Sequence, residues 1–285
     1  MCVTPHAFAE EIEEVTIETD FLRVTILPKN SGRMVSIYDK QRNIEHFESL
    51  EETVDAFSPL VPPRITSNQA GIKDWFWKQQ NPARVDFHLH GKGEDETGPW
   101  VEVSGTTSGL DIVRRITLLK SKPAVQVDVY LRSKEKQTLS YWLHTLMAEE
   151  IYLDKTTGNG WIAGTFSEDL TPRQGRGMFA VPHPGIQKME TPFGDFAFAP
   201  AGNWFARLAV EQPFALAILT EDAFIGSEGF YYTWQDSTRR IVTLETIWPP
   251  MEIVPGQATH LRFLLVVIDT NDPKEIAKRL NSGMR

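Results

Sequence analysis

The sequence predicts an all-β protein, a large antiparallel sandwich of two sheets with one short C-terminal helix. Three observations favour this class. Apolar and polar residues alternate with a period of two through most of the 285 residues. Segments of this kind, about a dozen, are bounded by Gly, Pro, Asn or Asp, which is typical of sandwiches and barrels. Helical periodicity is confined to the end of the chain.

The first two predicted strands form a hairpin. FLRVTILP at 21–28 and RMVSIYD at 33–39 are separated by the turn-rich KNSG, in which Asn30 and Gly32 can adopt the backbone angles of a tight turn. Alternation and a high content of Val, Ile, Thr and aromatic residues predict the other strands. They cover 84–90, 100–107, 110–119, 124–132, 138–147, 178–181, 204–210, 214–220, 223–233, 239–248 and 259–268.

Two segments depart from the strand pattern. NDPKEIAKRLNSG predicts a terminal helix with Asp272 as N-cap, Pro273 at its first position, Glu275 three residues after the cap and Gly283 past its end. The segment 51–82 lacks strand periodicity and is crowded with Pro, Gly and Asn, which predicts a long loop of the kind that often carries function.

Length and charge set the broad class of the protein. We expect an N-terminal tail at 1–10 and one large β-sandwich domain at 11–285, a size that all-β domains reach. The net charge is −9 and no Lys/Arg run occurs, which argues against nucleic acid and membrane surfaces as partners. Nucleotide-binding and serine-hydrolase motifs are absent from the sequence.

The cellular compartment stays open. A single cysteine, Cys2, cannot form an intramolecular disulfide, so cysteine content does not identify the compartment. Ala-x-Ala at 7–9 resembles the end of an export signal, but no apolar segment precedes it. No run approaches the ~18 apolar residues that a membrane-spanning helix needs.

The segment TLSYWLHTLMAEE contains the first candidate site residues. Alternate side chains of a strand share a face, so Trp142 and His144 should lie together, opposite Tyr141 and Leu143. An indole can stack on the apolar face of a sugar ring, and an imidazole beside it can exchange a proton with a sugar oxygen. The alternative is a half-buried histidine that hydrogen-bonds to the backbone.

The segment RRIVTLETIWPP places Glu245 in the middle of an apolar strand. A carboxylate is costly to bury without a partner, and buried carboxyl groups are often the general bases of active sites. The alternatives are an exposed strand face and a structural ion pair with an arginine such as Arg239.

The segment VDFHLHGKG puts Asp86, His88 and His90 on one face of a strand. His-x-His spacing can hold a metal ion, but no third and fourth ligands are evident, so we expect no metal. A polar strand face and acid–base use of one histidine are the other interpretations.

Tryptophans supply candidate binding surfaces for carbohydrate. Trp75 and Trp77 lie in GIKDWFWKQQ and Trp204 lies in GNWFARLAV. Their indoles either form stacking surfaces for a sugar or anchor the chain by burial.

Taken together, three segments resemble the galactose mutarotase-like superfamily, which includes the aldose 1-epimerases. FLRVTILPKNSGRMVSIYDK is similar to its first strands, SYWLHTLMAEE to the segment of its catalytic histidine, and VTLETIWPPMEIVPGQATHLRFLLVV to its closing region with a catalytic glutamate. The epimerase motif has Asn before the histidine and an aromatic pair after it, whereas this chain has Leu143 and Thr145-Leu146.

The resemblance implies a mechanism and a set of site residues. His144 would protonate the ring oxygen of an aldose while Glu245 removes the proton of the anomeric hydroxyl, so that the ring opens and closes on its other face. His90 would correspond to a second family histidine. The expected partner is a mono- or oligosaccharide, and no metal or organic cofactor is required. Substrate contacts are expected from Arg33, Trp75, Trp77, Trp142 and Trp204.

Two other functions remain open at this point. One is a non-catalytic carbohydrate-binding protein that uses the tryptophans as stacking surfaces. The other is a polysaccharide lyase, in which Arg33, Arg64, Arg84 or Lys73 would pair with the carboxylate of a uronate.

Overall fold

The computed structural model describes residues 14–29, 32–47, 71–77, 86–107, 109–167, 185–191, 194–227, 229–236 and 241–283. For some strand residues, among them 71–77, Trp142 and His144, it describes the backbone alone. Within these ranges the fold consists of two antiparallel sheets and a short C-terminal helix, as the sequence predicts, and it has one more α-helix, of four residues, that the sequence does not predict.

The strands are numbered in chain order. The first ten are β1 Val15–Glu18, β2 Leu22–Leu27, β3 Arg33–Asp39, β4 Ile44–Glu45, β5 Gly71–Trp77, β6 Asp86–Glu94, β7 Pro99–Thr107, β8 Leu110–Leu118, β9 Ala124–Ser133 and β10 Gln137–Leu146. The next ten are β11 Gly160–Phe166, β12 Gly185–Thr191, β13 Gly194–Phe198, β14 Pro200–Leu208, β15 Ala215–Thr220, β16 Phe230–Asp236, β17 Ile241–Val242, β18 Glu245–Ile247, β19 Met251–Ile253 and β20 Ala258–Ile268. The helices are α1 Glu149–Tyr152 and α2 Pro273–Gly283, and a 3₁₀ turn spans Asp222–Phe224.

The two sheets differ in size and in how their strands follow one another. The larger sheet has eleven strands in the main order β1-β2-β3-β5-β10-β18-β16-β13, with β4, β17 and β19 paired at its side. The smaller sheet has nine strands in the order β12-β11-β14-β15-β20-β9-β8-β7-β6. Strand β10 therefore lies near the middle of the larger sheet, between β5 and β18.

A shared hydrophobic core fills the space between the sheets. Strands of both sheets supply it, for example Val24 and Leu143 from the larger sheet and Val127 and Phe263 from the smaller one. Aromatic rings connect the two sides: Phe205 of β14 stacks on Tyr231 of β16 with ring centroids 5.1 Å apart. Such contacts add to the stability from area burial, by about 1 kcal/mol each.

The terminal helix forms at the predicted place, except that Gly283, predicted to follow its end, is its last residue. The side chain of Asp272 caps it, because its Oδ1 accepts hydrogen bonds from the backbone N–H groups of Lys274 at 2.8 Å and Glu275 at 3.0 Å. Its apolar residues Ile276 and Leu280 are buried in a second cluster on the outer side of the smaller sheet. The helix therefore covers part of that sheet, as a spacing of three to four residues allows.

Most predicted strands are confirmed, with shifts of a few residues at their ends. The first hairpin is present, and Gly32 has the positive φ of +58° that its turn requires. Asn30 and the predicted strand at 178–181 lie outside the described residues. The predicted strand at 223–233 is instead a 3₁₀ turn followed by β16, and that at 239–248 is divided into β17 and β18.

The prediction of one long loop over 51–82 was wrong for 71–77. These residues form β5, which pairs with β10 along its whole length and with β3 at Met34. Its sequence GIKDWFW places aromatic residues at consecutive positions, 75–77, so the period-two signal of a half-buried strand is lost. The rest of that segment lies outside the described residues.

None of the helices in the described ranges is long and apolar enough to cross a membrane.

A buried histidine makes the stability of the fold depend on pH. His46 is fully buried, its Nδ1 lies 2.6 Å from the Tyr152 hydroxyl, and its ring meets the edge of Phe214. Burial lowers the pKa of His46 to about 4, with Asp39 opposing the shift and Arg42 adding to it. The folded protein therefore keeps His46 neutral in mildly acidic solution.

We predict that the free energy of unfolding falls as the pH drops from about 6.5 towards 4. In this range the unfolded chain binds a proton at His46 and the folded chain does not, which costs up to about 3 kcal/mol. His46→Asn keeps a hydrogen-bonding atom near the Nδ1 position but cannot titrate, so its urea unfolding curves should depend less on pH.

The matched control is His88→Asn, at an exposed histidine of β6, which should keep the pH dependence of the wild type. An identical pH dependence in His46→Asn and wild type would show that His46 is not the group responsible.

Candidate functional site

The register of the central strands brings His144 and Glu245 together. Trp142 of β10 pairs with Ile247 of β18, and Leu143 pairs with Thr246. Continuing this register by one residue places His144 directly opposite Glu245. Directly opposite residues of antiparallel strands have Cβ atoms about 5 Å apart on the same face of the sheet. Two residues separated by a hundred positions in the chain are therefore neighbours.

The same line of residues continues across the sheet on both sides. Lys73 of β5 is opposite His144, and Tyr232 of β16 is opposite Glu245. We call Lys73, His144, Glu245 and Tyr232 the polar rung. Because Leu143, next to His144, points into the core between the sheets, the polar rung belongs to the outer face of the larger sheet.

The two residues of the polar rung whose side chains the structure describes are not exposed to solvent. Glu245 is 1% exposed and Tyr232 is 2% exposed. The exposed-face interpretation of Glu245 was therefore wrong, and Arg239, its suggested ion-pair partner, lies outside the described residues.

An apolar row lies beside the polar rung on the same face. Trp75 is opposite Trp142, Trp142 is opposite Ile247, and Ile247 is opposite Phe230. We call these four residues the aromatic rung. Ile247 and Phe230 belong to a small apolar cluster that also contains Tyr232. Trp77 lies one step further, opposite Ser140.

Arg33 stands at the end of the polar rung. It begins β3, and continuing the Met34–Ile72 pairing by one residue places it opposite Lys73. Arg33 is 1% exposed, and burial lowers its pKa to about 10. The predicted residues Arg33, Trp75, Trp142, His144 and Glu245 therefore occupy neighbouring positions on one sheet.

Two predicted site residues lie elsewhere. Trp204 is in β14 of the smaller sheet, 3% exposed, in the cluster that α2 covers, so neither face of its indole is open to a ligand. His90 is in β6, the edge strand of the smaller sheet, with a 59% exposed side chain whose Nε2 is 3.4 Å from Glu102. Neither is brought to the polar rung.

The two histidines of His-x-His bind different partners. His88 Nε2 is 3.0 Å from the Ser104 hydroxyl, whereas His90 approaches Glu102, and the register shifts between Leu89 and Gly91. In the described part of the chain, no three His, Cys, Asp or Glu residues are arranged to hold a metal ion.

The strand that carries Glu245 is interrupted just before it, at Thr243 and Leu244. The Thr243 carbonyl accepts hydrogen bonds from the Thr233 hydroxyl at 2.6 Å and from Arg207 Nε at 3.4 Å. The Thr243 hydroxyl accepts the N–H of Trp234 at 2.7 Å. Side chains therefore replace part of the backbone ladder beside the site.

Arg207 connects this interruption to the smaller sheet. It is fully buried, and its guanidinium donates to the Thr191 hydroxyl at 2.9 Å, the Thr233 hydroxyl at 3.0 Å and Gln235 Oε1 at 2.9 Å. These acceptors are neutral, and burial lowers the pKa of Arg207 to about 9. Sequence reasoning missed Arg207; the one available signal was an arginine inside the apolar run FARLAV.

Comparisons with known proteins identify the fold. No family model matches the sequence and no curated protein matches it. Among solved structures, a galactose mutarotase-like protein from Lactobacillus casei has a TM-score of 0.60 and 11% identity, covering 90% of this chain and 100% of its own. A second, from Clostridium acetobutylicum, has a TM-score of 0.58 and 9% identity, covering 90% and 95%.

This chain has the galactose mutarotase-like fold. The same fold matches part of a larger enzyme, a GH36 alpha-galactosidase from Geobacillus stearothermophilus, with a TM-score of 0.56, 12% identity and coverage of 95% of this chain and 41% of that one. The mutarotase-like fold thus occurs in proteins connected with carbohydrates, and identities this low establish the fold alone.

In this mutarotase-like sandwich, we predict that Arg207→Met lowers the free energy of unfolding by about 3 kcal/mol. The substitution keeps a long apolar side chain but removes one hydrogen-bond donor from each of several buried acceptors. Urea unfolding followed by tryptophan fluorescence measures the change.

The control for this prediction is Arg262→Met. Arg262 is half exposed on the outer face of the smaller sheet, where its Nε donates to Asp128 at 2.7 Å. Asp128 is buried, but it keeps its contacts with Gln126 and His260 when Arg262 is replaced, so the loss should be under about 1 kcal/mol. Equal losses in the two variants would contradict the role given to Arg207.

Proposed function

We propose that this protein interconverts the anomers of an aldose, with His144 and Glu245 as its acid and base. The observation that carries the proposal is the register, which puts the two residues opposite each other on one face, beside the aromatic rung. The likeness to galactose mutarotase-like proteins supports a carbohydrate ligand.

The spacing of the pair suits the chemistry. The ring oxygen and the anomeric hydroxyl are bonded to the same carbon, so an acid and a base on adjacent strands can reach both at once. In the proposed reaction His144 gives a proton to the ring oxygen, Glu245 takes the hydroxyl proton, and the bond between the anomeric carbon and the ring oxygen breaks. Rotation of the aldehyde and reversal of both transfers yield the other anomer.

Binding is assigned to the neighbouring residues. The indoles of Trp75, Trp77 and Trp142 stack on the apolar face of the sugar, and Arg33 binds its oxygen atoms. No metal or organic cofactor takes part, because each step is a proton transfer or the rotation of a bond.

We predict that Glu245→Gln and His144→Asn each lower the rate of anomer exchange at least a hundredfold. Positioned acids and bases contribute about this much. Glu245→Gln keeps the size of the side chain, and His144→Asn keeps a polar side chain that cannot act as an acid or a base. Exchange spectroscopy by NMR on a panel of aldoses, with the spontaneous rate subtracted, measures the effect.

Two variants serve as matched controls for the loss of the same functional groups. They are Glu252→Gln and His88→Asn. Glu252 is exposed in β19, where its carboxylate pairs with Lys136, and His88 is exposed on the smaller sheet. Both should turn over at the wild-type rate. Unchanged exchange in Glu245→Gln would overturn the assignment of the base.

A non-catalytic carbohydrate-binding protein is the second candidate, and the aromatic rung favours it. In either case Trp142→Ala should weaken sugar binding roughly tenfold, because the loss of a stacking surface costs about 1.4 kcal/mol. Isothermal titration measures this loss. Saturable binding by a wild-type protein that does not accelerate anomer exchange would select the binding function.

Within the described residues, the lyase alternative is favoured by two cationic positions, Arg33 and Lys73, at the end of the polar rung. Arg64 and Arg84 lie outside the described residues. A lyase would produce an unsaturated uronate, which absorbs in the ultraviolet. Its appearance on incubation with uronate polymers would replace the epimerase proposal.

A further inference from the structure

The pair of facing residues next to His144 and Glu245, Thr145 and Leu244, lacks the usual backbone hydrogen bonds of a sheet. Backbone hydrogen bonds join β10 to the facing chain on both sides of it: Trp248 N–H donates to Tyr141 O at 2.8 Å, and Met147 N–H donates to Val242 O at 2.9 Å. The register between these two bonds places Thr145 opposite Leu244. A regular antiparallel ladder would join the backbones of Thr145 and Leu244 directly.

A side-chain hydroxyl takes the place of that backbone pairing. The Thr145 hydroxyl accepts a hydrogen bond from the Leu244 N–H at 2.8 Å and donates one to the Leu244 carbonyl at 2.6 Å. Thr145 is 1% exposed, so water does not compete for these groups. One oxygen atom therefore satisfies both backbone groups of Leu244, which would otherwise be buried and unpaired.

The bridge acts on the candidate acid–base pair through the chain itself. Thr145 directly follows His144, and Leu244 directly precedes Glu245. A hydroxyl between the two strands keeps their backbones further apart than a direct bond, with its ~2.9 Å between nitrogen and oxygen, would allow. The distance between the two backbones at Thr145 and Leu244 thus limits the distance between them at the neighbouring pair, His144 and Glu245.

The peptide group between Thr243 and Leu244 is held from both sides: its N–H, that of Leu244, donates to Thr145, and its carbonyl, that of Thr243, accepts from other residues. Thr243, one residue before Leu244, is bonded through its carbonyl to Thr233 and Arg207. The backbone leading into Glu245 is therefore restrained from β10 by Thr145 and from β16 and β14 by these two residues. Of these three residues, Thr145 alone is adjacent to His144 in the chain.

We propose that Thr145 is the positioning residue of the acid–base pair and that its hydroxyl sets the separation between His144 and Glu245. The inference rests on the proposed anomer exchange. It assigns a role to a threonine at the position where the sequence departs from the epimerase motif. Valine has the same shape but cannot form the bridge, whereas serine can.

The test compares Thr145→Val, Thr145→Ser and a matched control, Thr246→Val. Thr246 is also a buried threonine beside Glu245, but its hydroxyl makes no hydrogen bond within the described residues, so its removal breaks no bridge. Thr145→Val should lower kcat for anomer exchange about tenfold to a hundredfold with KM changed less than about threefold, since small misplacements of reacting groups have effects of this size. Thr145→Ser and Thr246→Val should stay within about threefold of wild type.

A second measurement does not depend on turnover. Hydrogen exchange at the Leu244 amide should be protected in wild type, Thr145→Ser and Thr246→Val, and should lose protection in Thr145→Val. Full protection in Thr145→Val would show that the Thr145 hydroxyl is not what protects the Leu244 amide and would overturn the proposal. So would a parallel fall in kcat for Thr145→Val and Thr246→Val, which would indicate a general packing effect.

The outcomes separate this inference from the proposed function. If the wild-type protein does not accelerate anomer exchange, the proposed function is overturned, and the catalytic role of Thr145 is overturned with it. A wild-type protein that turns over, is inactivated by Glu245→Gln and tolerates Thr145→Val overturns the role of Thr145 alone.

Discussion

The buried guanidinium of Arg207 is the interaction on which the arrangement of the two sheets depends. A charged group is tolerated in a core only when its donors find acceptors at hydrogen-bonding distance, because an unpaired one costs several kcal/mol. The acceptors come from β12 in the smaller sheet, from β16 in the larger sheet and from the chain before β18. The distance between the sheets and the interruption at Thr243 are therefore determined together.

That interruption links the core to the outer face of the larger sheet. A continuous strand from 239 to 248 would pair its backbone evenly with both neighbours and leave no special spacing at Glu245. Threonine hydroxyls instead satisfy the backbone at Thr243 and Leu244, on one side from β16 and on the other from β10. The inner face of the sheet holds these restraints, and the outer face carries the polar rung. Site residues held by strands in this way keep their positions more precisely than residues on loops.

The outer face of the larger sheet carries two kinds of residue in adjacent rows. In the proposed function the polar rung supplies the groups that exchange protons, and the aromatic rung supplies flat apolar surface. A sugar ring has the matching division, with hydroxyl groups at its edges and C–H bonds on its faces. The proposed function rests on this arrangement of residues and not on the fold alone, because the same fold occurs in proteins of different activity.

The sequence by itself determined the class of the fold and most of its parts. Period-two alternation identifies a strand, and Asp272 followed by Pro273 identifies a helix start, because both signals are local and need no knowledge of partners. The same local reasoning found Glu245 as a carboxylate in an apolar run, and it placed Trp142 and His144 on one face.

Tertiary structure decided everything that depends on which segments pair. It made 71–77 a central strand, divided 239–248 into β17 and β18, and left Trp204 and His90 on the other sheet. It also gave Arg207 and Thr145 their partners. Pairing joins residues far apart in the chain, and its register is set by the packing of the whole sheet, so no single segment contains that information.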